Sequence, residues 1–334
     1  MDRAGDTRMG RRRPFAVAAL VGCHATLALL LVPGGDAVGA LGLVFLVHSL
    51  FASLLDTACD RMIMDHVPAR ELGRVSACTR AGFVAGTSLS AALFGWSLAS
   101  WGFSASAHCL FASAIVASLP MLLVREAPSV PFRRFLRRTV VALRRPRALR
   151  LLALCFGVDA ALGLFELPFA IDLLQRQGWE AAGLSRLQAM LTLVSGTAGA
   201  VAVGVWSDRA GAASPLRALL LGSAVTFVLA GILIAAGLVG AAAPAILALT
   251  SVLPGLLIVA LMPALLAASR GRPGAATQFE VYMASMNLGS VAGTAVAGWL
   301  APALPLQAFA ALVAATFFAA FRMARRGDLL SPRP

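Results

Sequence analysis

Long unbroken apolar runs alternate along this chain with short polar segments, and the runs have the length of membrane-spanning helices. A span needs about 20 apolar residues to cross a hydrocarbon core of about 30 Å. Ten runs meet that requirement: 15–32, 37–60, 72–99, 105–124, 148–173, 184–207, 216–238, 242–268, 277–300 and 303–322. A β-barrel needs short segments of alternating polarity instead. Pro168, Pro254 and Pro263 fall inside runs, where they bend a helix. The pattern predicts an all-α membrane protein with ten transmembrane helices.

Composition points the same way. Hydrophobic residues make up 59% of the chain and charged residues 13%, against about 25% charged in a soluble domain. The net charge of +13 comes from 28 basic residues, every one an arginine. Their placement argues against a nucleic-acid partner. Twenty-five lie in one set of loops, 1–14, 61–74, 125–150, 208–217, 270–272 and the tail from Arg322. The opposite loops hold only Arg176 and Arg186, and Arg80 lies inside a span. Arginine-rich loops stay on the cytoplasmic side, so both termini and the long central loop are expected there. Within that loop, Phe132-Arg133-Arg134-Phe135-Leu136-Arg137-Arg138 is basic and amphipathic. It reads either as a plain linker or as an interfacial helix lying on anionic membrane lipid.

Arg11-Arg12-Arg13 before an apolar run imitates a signal peptide, but the run exceeds the about 7–15 residues of a signal core. Cys23, Cys59, Cys78, Cys109 and Cys155 lie in or beside apolar runs without CxxC spacing, so they read as packed thiols. The four histidines are scattered, and the absence of lysine rules out a Walker-type phosphate loop. No metal, cofactor or enzyme activity is expected.

The chain repeats itself. Asp208-Arg209-Ala210-Gly211 recurs as Asp2-Arg3-Ala4-Gly5, 206 residues earlier. Gly82-Phe83-Val84-Ala85-Gly86-Thr87 matches Gly289-Ser290-Val291-Ala292-Gly293-Thr294 at an offset of 207. Two matches in nearly one register indicate an internal duplication. The second copy then has two spans, in 148–207, with no counterpart in the first. On that reading two helices are missing before Met1, through a misplaced start or a real truncation.

Gly204-x-x-x-Asp208-Arg209-x-Gly211 resembles the cytoplasmic motif that the major facilitator superfamily carries between helices two and three and again between eight and nine. Asp2-Arg3-x-Gly5, followed by Arg11-Arg12-Arg13, resembles the first occurrence. The resemblance implies a major facilitator fold whose ten spans correspond to helices 3–12 of twelve. Residues 1–124 would form an incomplete N-terminal half, 125–147 a basic cytoplasmic linker and 148–334 the six-helix C-terminal half. In such a motif the aspartate accepts hydrogen bonds from a neighbouring helix N-terminus and the arginine pairs with an acid or carbonyl.

Two further blocks resemble the branch of muropeptide permeases and acetyl-coenzyme A transporters. One is Asp56-Thr57-Ala58-Cys59-Asp60 followed by Asp65-His66-Val67-Pro68-Ala69-Arg70-Glu71-Leu72-Gly73-Arg74. The other is Thr277-Gln278-Phe279, then Ser285-Met286-Asn287-Leu288-Gly289 and Gly298. Leu55 stands where that branch has glutamine, and Leu72 where it often has arginine. The resemblance implies a proton-driven importer of a small solute, a sugar-peptide foremost, acting as a monomer in the bacterial cytoplasmic membrane by rocking of two bundles. A proton-linked efflux carrier for lipophilic compounds and a truncated, non-transporting remnant remain the alternatives.

Ionisable groups inside spans cost about 2.5–3.5 kcal/mol each at the bilayer centre on insertion scales, which marks them as functional candidates. Asp159 and Glu166, seven residues apart, share one helix face. A carboxylate in a partly dry cavity serves as a proton carrier near neutral pH, and these two are candidates for proton coupling. His48 is a third, with a hydrogen-bonded packing histidine as the alternative reading. Asp56 and Asp60 are one turn apart, and Arg80, at similar depth, is their expected ion-pair partner in a gate or a structural bridge. Gln278, Glu280 and Asn287 supply donors and acceptors for a polar solute or for a neighbouring helix. The Gly82/Gly86 and Gly289/Gly293 pairs have the small-xxx-small spacing of close helix approach.

Overall fold

The computed structural model describes residues 13–32, 38–123, 140–270 and 274–325, and every regular element among them is helical. In order these are α1 (Arg13–Ala28), prolonged by a 3-10 turn (Leu29–Leu31), α2 (Val38–His66), α3 (Leu72–Leu123), α4 (Pro146–Gln175), α5 (Ala181–Leu191), α6 (Thr197–Ala210), α7 (Ala213–Ala235), α8 (Val239–Ser269), α9 (Ala275–Leu300) and α10 (Leu306–Arg325). The 52-residue α3 is two limbs meeting at Gly102, whose φ of 77° and ψ of 179° leave helical space. Only glycine takes that conformation without strain. A five-residue π turn, Thr192–Gly196, joins α5 to α6 in one span. The described residues therefore hold ten apolar helical passages, in the order the hydrophobic pattern predicts.

Helix is the form that satisfies every backbone group where no water reaches. The hydroxyls follow the same logic. Ser76, Ser106, Ser223, Thr250 and Ser251 each donate to a backbone oxygen one turn back in their own helix. A polar side chain is thereby satisfied without a partner on another helix. Pro168 and Pro254 lie inside uninterrupted α4 and α8, as does Pro263.

Contacts divide the chain into two compact units. The first comprises 1–66, 86–139 and 271–276. Its apolar centre is Leu27, Leu30, Val44 and Ala107, with Phe103 and Phe111 packed on them. The second comprises 67–85, 140–270 and 277–334, so the first limb of α3 starts in it. An aromatic ladder forms its centre: Phe165 stacks on Phe169 at 5.3 Å, meets Phe227 edge-on at 5.1 Å, and Phe227 stacks on Phe317 at 5.8 Å. The ladder joins α4, α7 and α10.

α4 and α9 approach backbone to backbone in the second unit. A Cβ at Gly289 would fall on the Phe156 carbonyl and one at Gly293 on the Ala160 carbonyl, while one at Gly163 would lie 2.6 Å from Ser290 O. Ser285 Oγ also crosses to Leu152 O at 3.0 Å. By contrast, Gly82 and Gly86 have nothing within 4 Å of a Cβ. The small-xxx-small spacing brings a neighbour close in one copy of the repeat and meets open space in the other.

Candidate functional site

The motif Gly204-x-x-x-Asp208-Arg209-x-Gly211 closes the end of α6 against the start of α3, and each residue type has its own reason. Asp208 Oδ1 accepts from the backbone nitrogen of Gly73 at 2.7 Å, and Oδ2 accepts from the backbone nitrogen of Arg74 at 2.9 Å. These are first-turn donors that no residue within α3 satisfies, and the helix dipole favours a negative charge there. Arg74 Nε adds a charged bond to Oδ2 at 2.9 Å. The Asp208 side chain is 6% exposed and that of Arg74 62%, so the carboxylate is the buried partner. Gly204 lets the two helices touch: a Cβ there would lie 2.6 Å from both Ala77 Cβ and Gly73 O. Gly211 ends α6 with φ 79°, the left-handed turn that glycine supplies at a helix C-terminus. Arg209 is exposed. Asp2, Arg3 and Gly5, the earlier copy, lie outside the described residues.

A second polar feature sits deeper in the same unit. Arg80, on the first limb of α3, and Asp159, on α4, act on each other electrostatically. Arg80 Nε is buried and donates to no hydrogen-bond acceptor among the described residues. Its guanidinium lies over the Phe83 ring, 5.1 Å from the centroid, a cation–π arrangement. On the far side Gly255 of α8 makes room, since a Cβ there would stand 3.4 Å from Nε. Asp159 shares the second unit with Arg80, and Asp56 and Asp60, expected as its ion-pair partners, lie on α2 in the first, Asp60 buried and Asp56 exposed.

The remaining predicted residues scatter. Glu166 shares α4 with Asp159 and is exposed. His48 Nδ1 lies 3.0 Å from Thr26 Oγ1 on α1. Thr26 Oγ1 also lies within hydrogen-bond reach of the Gly22 and Cys23 carbonyls. On α9, Gln278 is fully buried and donates to the Tyr282 hydroxyl at 2.8 Å. Glu280 is half-buried and Asn287 exposed.

Comparison with known proteins accounts for this arrangement. The family model "Major Facilitator Superfamily" matches residues 3–279. The chain belongs to the Major Facilitator Superfamily. No curated protein matches it in sequence. Its fold is similar to that of the human organic anion transporter MFSD10 (TETRAN), with a TM-score of 0.73 over 94% of this chain and 77% of the other, at 18% identity. It is also similar to a bacterial homologue of the iron transporter ferroportin in its outward-facing state, with a TM-score of 0.60 over 95% of this chain and 82% of that one, at 15% identity.

As a superfamily member this chain is a multi-pass membrane transporter for a small-molecule solute. Two polar contacts lie outside the candidates that the sequence offers. One is the receiving end of the latch, Gly73 and the Arg74 backbone. The other is Asp172, 8% exposed near the end of α4. Its Oδ1 accepts from Arg176 Nη1 at 3.3 Å, while Oδ2 is buried without a hydrogen-bond partner. The i,i+4 spacing of Asp172 and Arg176 was the available signal.

Proposed function

We propose that this superfamily member is a proton-coupled carrier of an anionic solute, in which Asp159 carries the proton and Arg80 is the cation that solute and proton carrier share. The observation that supports it is Arg80 itself: its Nε is buried without a hydrogen-bond partner, its guanidinium lies over Phe83, and it shares a unit with Asp159. An ionised Asp159 balances Arg80. Once Asp159 takes a proton, Arg80 needs another anion, because an unpaired buried charge is costly. A solute carboxylate meets that need, and a guanidinium binds carboxylate through two parallel bonds. Proton and solute binding are thereby coupled through one charge.

The branch resemblance makes a sugar-peptide of the muropeptide class the leading solute, since such molecules carry carboxylates together with hydroxyls and amides. Glu280 and Asn287 on α9 would meet the polar groups and Glu166 would serve as a second proton site. Gln278 gives an amide proton to Tyr282 and keeps a buried Oε1 without a partner, so it would join Glu280 and Asn287. The setting we propose is a bacterial cytoplasmic membrane, with a monomer whose two termini are cytoplasmic. The solved human relative is likewise named for organic anions.

Proteoliposomes loaded at one pH and diluted into another test this directly. Anhydro-muropeptide accumulation that follows the imposed pH gradient, and stops when the gradient is collapsed, is the expected result. Absence of uptake together with proton-linked export of lipophilic dyes would overturn the importer reading in favour of an efflux carrier.

A further inference from the structure

Between α7 and α10 runs an open groove of about 750 Å³. Its floor is made of small residues, Gly231 on α7 with Ala311 and Ala315 on α10, and its walls of Val225, Ile232 and Phe318. Those three walls are 51%, 58% and 47% exposed. In a protein embedded in lipid, such a surface faces acyl chains. From Leu221 to Ala235 the groove follows α7 for about 21 Å at 1.5 Å per residue, enough for a chain crossing one leaflet of a core about 30 Å thick.

One end of the groove is charged. Leu221, Val225, Val228 and Ile232 succeed one another at three- and four-residue steps, and Arg217 lies one step before them on the same stripe of α7. On α10, Ala311, Ala315 and Phe318 form the matching stripe, and Arg322 and Arg325 continue it. The two helices run in opposite directions, and Arg217 Nε donates to Ala324 O at 3.0 Å, so the three arginines gather at the same end. Arg322 and Arg325 are exposed and Arg217 half-buried. Arg217 uses Nε in that bond, and a guanidinium has further donors to offer.

An apolar channel that ends in three guanidinium groups matches one kind of occupant. We propose that this groove binds an anionic phospholipid, with an acyl chain along the α7–α10 seam and the headgroup phosphate held by Arg217, Arg322 and Arg325. A second copy of this chain would cover the apolar stripe but bring the same three arginines against its neighbour, since a two-fold contact repeats one patch on both sides. A neutral lipid would fill the channel and leave the charges unmatched. The site is separate from Arg80 and Asp159 and stands whether or not the chain moves protons.

Native mass spectrometry of the full chain, purified in detergent with equimolar phosphatidylglycerol and phosphatidylcholine of one acyl length, tests the proposal. The wild type should retain phosphatidylglycerol at least ~10-fold over phosphatidylcholine, because clustered arginines attract a net anionic headgroup over a zwitterionic one. The triple variant R217Q/R322Q/R325Q should lose that preference, and A315F should lower retention of both lipids. No preference in the wild type, or an unchanged preference in a triple variant that unfolds at the wild-type temperature, overturns it. A dimer that A315F dissociates overturns it in favour of a second copy. Should the triple variant not fold, the wild type still decides. Its preference must fall as salt rises from roughly 0.05 M to 0.5 M, as screening requires, and a preference indifferent to salt rejects the arginine cradle.

Discussion

Asp208 Oδ1 lies 2.7 Å from the backbone nitrogen of Gly73, and no side chain fits at Gly73 without displacing it. A Cβ there would fall on the Gly204 carbonyl and 2.6 Å from Oδ1 itself. The glycine and the aspartate are one device: absence of a side chain on α3 admits the carboxylate from α6. Hydrogen bonds to a charged group contribute about 1.5–3 kcal/mol, so Asp208→Asn and Gly73→Ala should each lower thermal stability by about that much. The double variant should cost no more than the worse single one, because both break the same contact. Thermal unfolding in detergent reads this, and additive losses would show that the two residues act separately.

The Arg80–Asp159 pair makes a prediction about coupling. Asp159→Asn should abolish accumulation driven by a pH gradient while leaving counterflow exchange, which needs binding and reorientation but no net proton. On the proposed coupling, Arg80→Gln alone leaves the Asp159 carboxylate inside the helices without its cation, which is destabilising. The variant R80Q/D159N should therefore be more stable than R80Q. Gradient-driven uptake by D159N at the wild-type rate would remove Asp159 from the proton path.

The spans were readable because lipid imposes both a length and a composition on them, and ten passages appear where ten apolar runs stand. What one helix presents to another was harder to read. Arg80, Asp56 and Asp60 lie at similar depth, but depth leaves open which way a side chain turns about its helix axis; in the structure Arg80 lies over Phe83 and beside Gly255 of α8. Gly82 and Gly86 have the same spacing as Gly289 and Gly293, yet only the second pair meets a backbone. Spacing states that an approach is allowed, and the neighbour decides whether it happens. The break at Gly102 fell where a short loop was expected between residues 99 and 105; one glycine at positive φ replaces the loop.

His48 bridges α2 to Thr26 on α1 at 3.0 Å, and a neutral hydrogen bond of this kind contributes about 1 kcal/mol. His48→Gln keeps a donor in reach of Thr26. It should cost less than His48→Ala and leave the proton-to-solute ratio of transport unchanged. A changed ratio in His48→Gln, at unchanged stability, would instead place the imidazole among the proton carriers.

The two glycine pairs give the cleanest test of what the repeat has kept. At Gly293 an added side chain runs into the Ala160 carbonyl, backbone that has no rotamer by which to yield. Forcing extra volume into such a contact costs typically 1–3 kcal/mol, and here the whole α4–α9 seam must part, carrying Asp159 with it. Gly293→Val should therefore lower both the unfolding temperature and the transport rate. Gly86→Val, at the equivalent place in the earlier copy, meets nothing within 4 Å and should stay within about 0.5 kcal/mol of the wild type. Thermal unfolding of the two variants side by side makes the comparison. Equal losses would mean that Gly86 too faces a close neighbour, and equal tolerance would mean that α4 and α9 are held together by contacts other than their glycines.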